Sequence, residues 1–284
     1  MNTDPNYLVD LWKQVEGNHL DYASLSEAEN TLKQYYRKVW MESLVLPGET
    51  DLETSLIKEG AEYFGVTPEQ FEGRARQSTA ALKETWEKEV DPMDAGSIEA
   101  FYDASEHYIY ELMWWHTLKE DLSPLAYVVG LEFAKKEQGR QYLDIGAGVG
   151  AGGLLFRQEG FDVFSADISS TMLRCCQWRF QRRGEQAKLL DLKTESLPEN
   201  AFDFVTAMDV FEHAADPLTL VDDLARTIRS QGCLFGRFHC APDPARPQHI
   251  VSDFTPTMER LKDQGFQQVW HDQWLWGHVL LRKD

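Results

Sequence analysis

Two stretches of this chain carry residue types at spacings that suit chemistry. In the first, Gln141–Gly153, the sequence reads Q-Y-L-D-I-G-A-G-V-G-A-G-G, with Asp144 just ahead of Gly146, Gly148 and Gly150. Glycines at alternate positions between an apolar run and a helix let the backbone turn sharply and approach a ligand that a Cβ would exclude. Gly148, Gly150 and Gly153 also satisfy G-x-G-x-x-G, so the loop alone fits a dinucleotide pyrophosphate, or a tight turn with no ligand at all. The second stretch is Asp209-Val210-Phe211-Glu212-His213. An imidazole with a reference pKa of about 6.5 is suited to accept a proton from a nucleophile, and His213 is the candidate base, although the same residue would also serve as a cap or as packing under a loop.

The elements around these residues say where they must sit. From Gln141 the pattern alternates strand and helix: Gln141–Ile145, Asp162–Asp167, Ala187–Leu192, Phe202–Asp209, Cys233–His239, Phe266–His271 and His278–Arg282 read as strands. Such alternation specifies a doubly wound, mostly parallel seven-stranded α/β sheet. Only Asp272–Gly277 separates the last two strands, too little for a crossover, so they should pair antiparallel. In such a sheet ligands bind beyond the carboxyl ends of the strands, at the switch point. Asp167 then ends the second strand, where a carboxylate can accept both hydrogen bonds of a ribose diol, or cap the helix at Ser169-Ser170. Asp191 ends the third, placed for an adenine amino group or for solvent.

Residues 1–125 read as an acidic all-helical region, ahead of a sheet domain over 126–284. Asp4-Pro5, Ser26-x-x-Glu29, Thr50-x-x-Glu53 and Thr67-Pro68 with Gln70 mark helix starts, and long helices should cover roughly 70–90 and 97–119. Within the last of these, Tyr102–His116 is the richest aromatic stretch. His107, Tyr108, Trp114, Trp115 and His116 are candidates to wall a substrate pocket, with His116 the histidine favoured to face the cleft as a catalytic group. Trp270, Trp274 and Trp276 would form either a pocket rim or a contact in a homodimer.

Composition limits the partners. The net charge is −19, and residues 1–125 hold 25 acidic against 10 basic side chains, net −15. Nucleic acid and anionic membranes call for a basic surface, so neither is expected as a partner. No apolar run approaches the ~20 residues of a membrane span, and the polar amino terminus is not that of a signal peptide. Four cysteines without metal-ligand spacing fit a reducing compartment, and a cytoplasmic protein is expected.

D-I-G-A-G-V-G, A-D-I-S and L-P-E-N-A-F-D-F-V-T-A-M-D-V-F-E-H-A-A-D-P, in this order and at these spacings, resemble the successive signatures of class I S-adenosylmethionine-dependent methyltransferases. The later segments L-A-R-T-I-R-S-Q-G-C-L and H-I-V-S-D-F-T-P-T-M-E-R-L-K-D-Q-G-F are similar to the small-molecule members, especially the ubiquinone-pathway O-methyltransferase group. The resemblance covers about Gln141 to Lys283. It departs from the family at Ser230-Gln231-Gly232, where G-G is usual. It implies a Rossmann-like fold with S-adenosyl-L-methionine as cofactor. Asp144, Gly146, Ala147, Gly148 and Gly150 would enclose its methionine part, Asp167 its ribose, and Ile168, Asp191, Leu192, Met208 and Asp209 the remainder. The implied activity is methyl transfer to O, N or C of a small molecule. A protein or peptide methyltransferase docking through the helical region, and an inactive cofactor-binding scaffold, stay open beside it. No metal is expected, yet Asp209-x-x-Glu212-His213 also resembles the E-x-x-E-H that binds a divalent cation in some relatives. Asp209, Glu212, His213 and His249 would then be the ligands.

Overall fold

The computed structural model describes residues 2–238, 241–272 and 275–284; His239 and Trp274, named above, lie outside the described residues. Seven helices come first: α1 (Asn6–Glu16), α2 (Tyr22–Leu44), α3 (Leu52–Phe64), α4 (Pro68–Ala75), α5 (Ser78–Glu89), α6 (Ala95–Ala104) and α7 (His107–Trp115). A 3-10 turn at Ser123–Leu125 leads into α8 (Ala126–Lys136). Then follow β1 (Gln141–Ile145), α9 (Ala151–Gln158), β2 (Asp162–Asp167), α10 (Ser170–Arg182), β3 (Lys188–Asp191) and β4 (Phe202–Ala207). The chain closes with α11 (Pro217–Thr227), β5 (Ile228–Arg237), α12 (Thr255–Asp263), β6 (Phe266–His271) and β7 (His278–Lys283).

Helix starts follow the nearest side-chain acceptor. Thr67 and Gln70 form the expected capping box. Asp51, rather than Thr50, caps α3. Ser26 caps nothing: Asp21 accepts the Ser24 amide and starts α2 one turn earlier, which leaves Ser26 inside the helix. The two long helices expected over 70–90 and 97–119 are each broken. The first divides between Ala75 and Ser78, and the second where Ser105 turns extended (φ −83°, ψ 98°) between α6 and α7.

The sheet order is β3-β2-β1-β4-β5-β7-β6, so strand order reverses between β1 and β4. β1 to β5 run parallel, and β7 lies antiparallel between β5 and β6, as the short final connection requires. Alternate strand residues enter different cores. Tyr142, Phe204 and Phe235 join the cluster that also holds α8, α9 and the amino-terminal helices. Leu143, Val205 and Leu234 join the one formed with α11 and α12. The first cluster runs unbroken from Leu8 to Leu280, so the helical region shares its core with one face of the sheet. Trp270 packs edge-on against Phe133, with ring centroids 5.0 Å apart, and Trp276 lies against Tyr36. Trp270 is therefore interior to this cluster and Trp276 partly buried at its edge, and neither lines the cavity at the strand ends.

Several ion pairs join the helical region to the sheet domain, Lys136–Asp4, Arg182–Glu62 and Lys193–Asp103 among them, and one is fully buried. Glu59 of α3 and Arg179 of α10 are fully buried with their charges 3.1 Å apart, and Arg183 shares the same carboxylate. Arg179 also donates to the Val149 carbonyl of the glycine loop at 2.9 Å. Removing one partner leaves an uncompensated buried charge. Glu59→Ala should therefore cost about 3–5 kcal/mol in urea unfolding; a loss within experimental error would show that the pair carries no such constraint.

Candidate active site

A cavity of about 570 Å³ lies at the carboxyl ends of β1, β2 and β4, roofed by α6 and α7. Gly146 and Gly148 line it, as do Asp167 and Ile168 after β2 and Leu192 after β3. Met208 and Asp209 after β4 complete that wall. Gly148 has φ +52°, a conformation L side chains rarely adopt, and a Cβ there would stand 2.6 Å from the Leu112 Cδ1 methyl of α7, which would have to shift. Asp167 accepts the Gly148 and Ser169 amides at 2.8 Å, one on each oxygen. It thus holds the loop and the amide of Ser169, whose own hydroxyl caps α10, while each Asp167 oxygen keeps a second lone pair. Burial raises its pKa against those two hydrogen bonds.

Seven of the residues proposed from the sequence are not at the cavity wall. Asp144 is fully buried beneath the loop, where it accepts from Thr206 at 2.7 Å and from Tyr127 at 3.4 Å; burial pushes its carboxyl up to about 7. Ala147 donates its amide to Ala166, and a Cβ on Gly150 would meet Cys176 of α10 at 2.5 Å. Both shape the loop from behind. Asp191 turns back to accept the Lys193 amide, because that loop closes on itself. His116 is not in the cleft: its ring is buried between Trp40 and Trp115, and burial lowers its pKa to about 3. It sits one residue beyond α7, on the side facing α2. His107 is exposed and Trp114 is core, so from that aromatic helix Tyr108, Leu112 and Trp115 reach the cavity, with Tyr102 from α6.

The opposite wall is polar. His213 Nδ1 lies 3.1 Å from the Gln248 carbonyl and 2.8 Å from the Tyr102 hydroxyl. A carbonyl can only accept, so the ring proton belongs on Nδ1 and the lone pair on Nε2. Burial, then the neighbouring His249, lowers the His213 pKa to about 3, so the ring is neutral at pH 7. Glu212 stands beside it; burial, helped by the Asp209 carboxylate, pushes its carboxyl upward. Ligand atoms of Glu212, His213 and His249 lie within 4.8 Å of one another, and burial followed by Arg246 lowers His249 to about 4. Asp209 stays out of this group: it pairs with Arg237 at 2.5 Å from a left-handed backbone conformation, φ +53°.

Sequence reasoning missed Gln248, Arg237 and Arg246, which come from β5 and the loop after it. Gln248 and Arg246 had only their nearness to His249 as a signal and Arg237 had none, since nothing in a loop's periodicity reports which side chains turn inward.

A sequence model of the methyltransferase domain matches residues 143–236, the span from β1 to β5. The chain carries a class I, S-adenosylmethionine-dependent methyltransferase domain. It is 26% identical over 159 residues to a ubiquinone biosynthesis O-methyltransferase of Aliivibrio fischeri, covering 53% of this chain and 64% of the relative. It is 28% identical over 131 residues to one from Paracidovorax citrulli, covering 43% and 55%. The chain thus spans less than two thirds of the length of these relatives. Among solved structures it is similar to phosphoethanolamine N-methyltransferase 2 of Haemonchus contortus with S-adenosylmethionine, at 21% identity and a TM-score of 0.47, over 60% of this chain and 44% of that one. It is also similar to magnesium protoporphyrin IX methyltransferase of Synechocystis with S-adenosylhomocysteine, at 18% and 0.45, over 56% and 82%. No helix among the described residues is long and apolar enough to cross a membrane.

Two outcomes follow for the methyltransferase domain's loop. Gly148→Val should abolish S-adenosylhomocysteine binding in calorimetry, and wild-type affinity would place the cofactor elsewhere. Asp144, raised from about 3.9 when unfolded to about 7 when folded, favours the folded state only while protonated. Its contribution is complete below about pH 4 and is lost as pH climbs through 7. Asp144→Asn should flatten that part of the stability profile measured by urea unfolding; an unchanged slope would contradict the shift.

Proposed function

We propose that this protein transfers a methyl group from S-adenosylmethionine to a small-molecule acceptor held between the strand ends and the helical roof. The observation that carries this reading is one cavity with Gly146, Gly148 and Asp167 on one wall and Tyr102 and His213 on the other. The glycine positions accommodate a ligand that a Cβ would displace, and Asp167 offers acceptor lone pairs to a ribose diol. When bound, the cofactor supplies an already activated sulfonium methyl. The chain's own work is then to hold the nucleophile in line and to exclude water, which the α6–α7 roof does.

His213 orients the acceptor through its Nε2 lone pair. Its lowered pKa makes it a neutral hydrogen-bond acceptor rather than a strong base. A second reading rests on the approach of Glu212, His213 and His249. Two neutral imidazoles and a carboxylate suit a divalent cation of the magnesium, manganese or zinc kind, and such an ion would supply Lewis acidity to an acceptor hydroxyl.

Labelled methyl transfer from S-adenosylmethionine to a panel of small metabolites tests the reading. Wild type should label at least one class, and His213→Ala should lose ~100-fold in rate through misplacement of the acceptor while keeping S-adenosylhomocysteine affinity. Labelling of proteins or peptides alone would favour the docking alternative, and labelling of nothing the inactive scaffold. Chelator treatment separates the two roles of His213: activity lost and restored by added cation, with the response abolished in His249→Ala, selects the metal reading, and indifference to chelator excludes it.

A further inference from the structure

Two buried polar side chains in the cavity complete no hydrogen bond of normal geometry, although Tyr108 lies close to both the Tyr102 hydroxyl and the Gln248 amide. The Tyr108 hydroxyl is orphaned on a residue 7% exposed, and Gln248 Oε1 on a residue 1% exposed; both line the cavity. The other orphaned groups on its wall, on Asp209 and Arg237, belong to side chains that pair with each other. Buried hydroxyls and amides are bonded in the great majority of cases, since stranding one forfeits its hydration with nothing in return. The two groups, from α7 and from the loop after β5, lie against one another without closing a proper bond, so a ligand in the cavity can complete both.

Both flank His213. The Gln248 main-chain carbonyl lies 3.1 Å from His213 Nδ1, and the Tyr108 ring is 5.2 Å from Tyr102, whose hydroxyl meets the same nitrogen. A phenol gives and accepts one hydrogen bond, and an amide offers both kinds of group. Neither carries charge at neutral pH, because burial drives the Tyr108 hydroxyl further from ionisation. Leu112 and Trp115 add apolar surface to the same cavity, beside the paired Glu111 and Arg246.

We propose that Tyr108 and Gln248 bind the acceptor, which presents to them an uncharged hydroxyl or carbonyl beside the nucleophile that faces His213, on an apolar body. The proposal rests on the methyl-transfer reading, and it makes Tyr108 a specificity residue contributed by the helical roof. A site built to hydrogen-bond such a group rejects the analogue that lacks it, whose binding would strand the same two side chains again.

The test uses the full chain saturated with S-adenosylhomocysteine and an isosteric probe pair, 2-hydroxybenzyl alcohol and 2-ethylphenol, with 2-hydroxybenzoate as the charged member. Calorimetry of wild type should show the alcohol bound at least tenfold tighter than either other probe. In Tyr108→Phe and in Gln248→Met the preference over 2-ethylphenol should shrink to within threefold, with S-adenosylhomocysteine affinity unchanged. The ligand-free thermal midpoint of both variants should hold or rise, since each substitution removes an orphaned polar atom. A midpoint lowered by several degrees would show that these groups have structural partners and overturn the proposal. So would a wild type without the preference, or one whose preference survives in both variants. Failure of wild type to bind S-adenosylhomocysteine would instead sink the functional reading beneath it.

Discussion

Arg179 places a full positive charge where no water reaches it, and the surrounding architecture has to answer that charge. It does so from two directions, with the Glu59 carboxylate of α3 and the Val149 carbonyl of the glycine loop. A buried pair of this kind adds little net stability compared with a well-packed apolar core, but it tolerates only one arrangement of its partners. Here that arrangement fixes three things at once: the position of α3, the angle of α10 and the path of the loop. Arg183 extends the contact to the Leu44 carbonyl at the end of α2. The helical region is thereby docked on the glycine loop itself, rather than merely on the sheet.

The cavity is a product of that docking. One wall belongs to the strand ends, the other to α6 and α7, and the two are stitched together beside the site. The Ser169 hydroxyl donates to the Tyr102 carbonyl at 2.7 Å, and the Asp103 carboxylate accepts the Ser170 amide at 2.8 Å. Burial of the site has electrostatic consequences. Desolvation lowers the imidazole pKa values, so His213 and His249 are neutral beside the charged Asp209–Arg237 pair. Neutral imidazoles can present lone pairs and hydrogens to an acceptor, or donor atoms to a cation.

Much of the sheet was legible in the sequence because its information is local. Two-face burial writes itself as apolar strands, and Asp272–Gly277 is too short for anything but an antiparallel return. Asp167, Gly146 and Gly148 could be named because they occupy strand ends fixed by that pattern. The helical region was legible as helix but not in detail. Ser26 and Glu29 have the spacing of a capping box, yet Asp21 outcompetes them, and nothing in the periodicity of 97–119 marks the break at Ser105. His116 was misplaced because its neighbours Trp114 and Trp115 suggest a pocket, whereas its own direction depends on where α2 packs. Gln248 and Arg237 were invisible for the same reason: side-chain direction in and beside a loop is decided by tertiary contacts, here with His213 and Asp209.

The central claim is that the glycine loop and the helical roof together form one cofactor and acceptor site. A crystal structure of the full chain with S-adenosylhomocysteine tests it most directly. The ligand should lie in the cavity with its ribose on Asp167 and its methionine part along Gly146 and Gly148. Its sulfur should open toward the space between His213 and Tyr108, under an intact α6–α7 roof. A ligand bound outside this cavity, or one whose sulfur is walled off from His213 and Tyr108, would contradict the account.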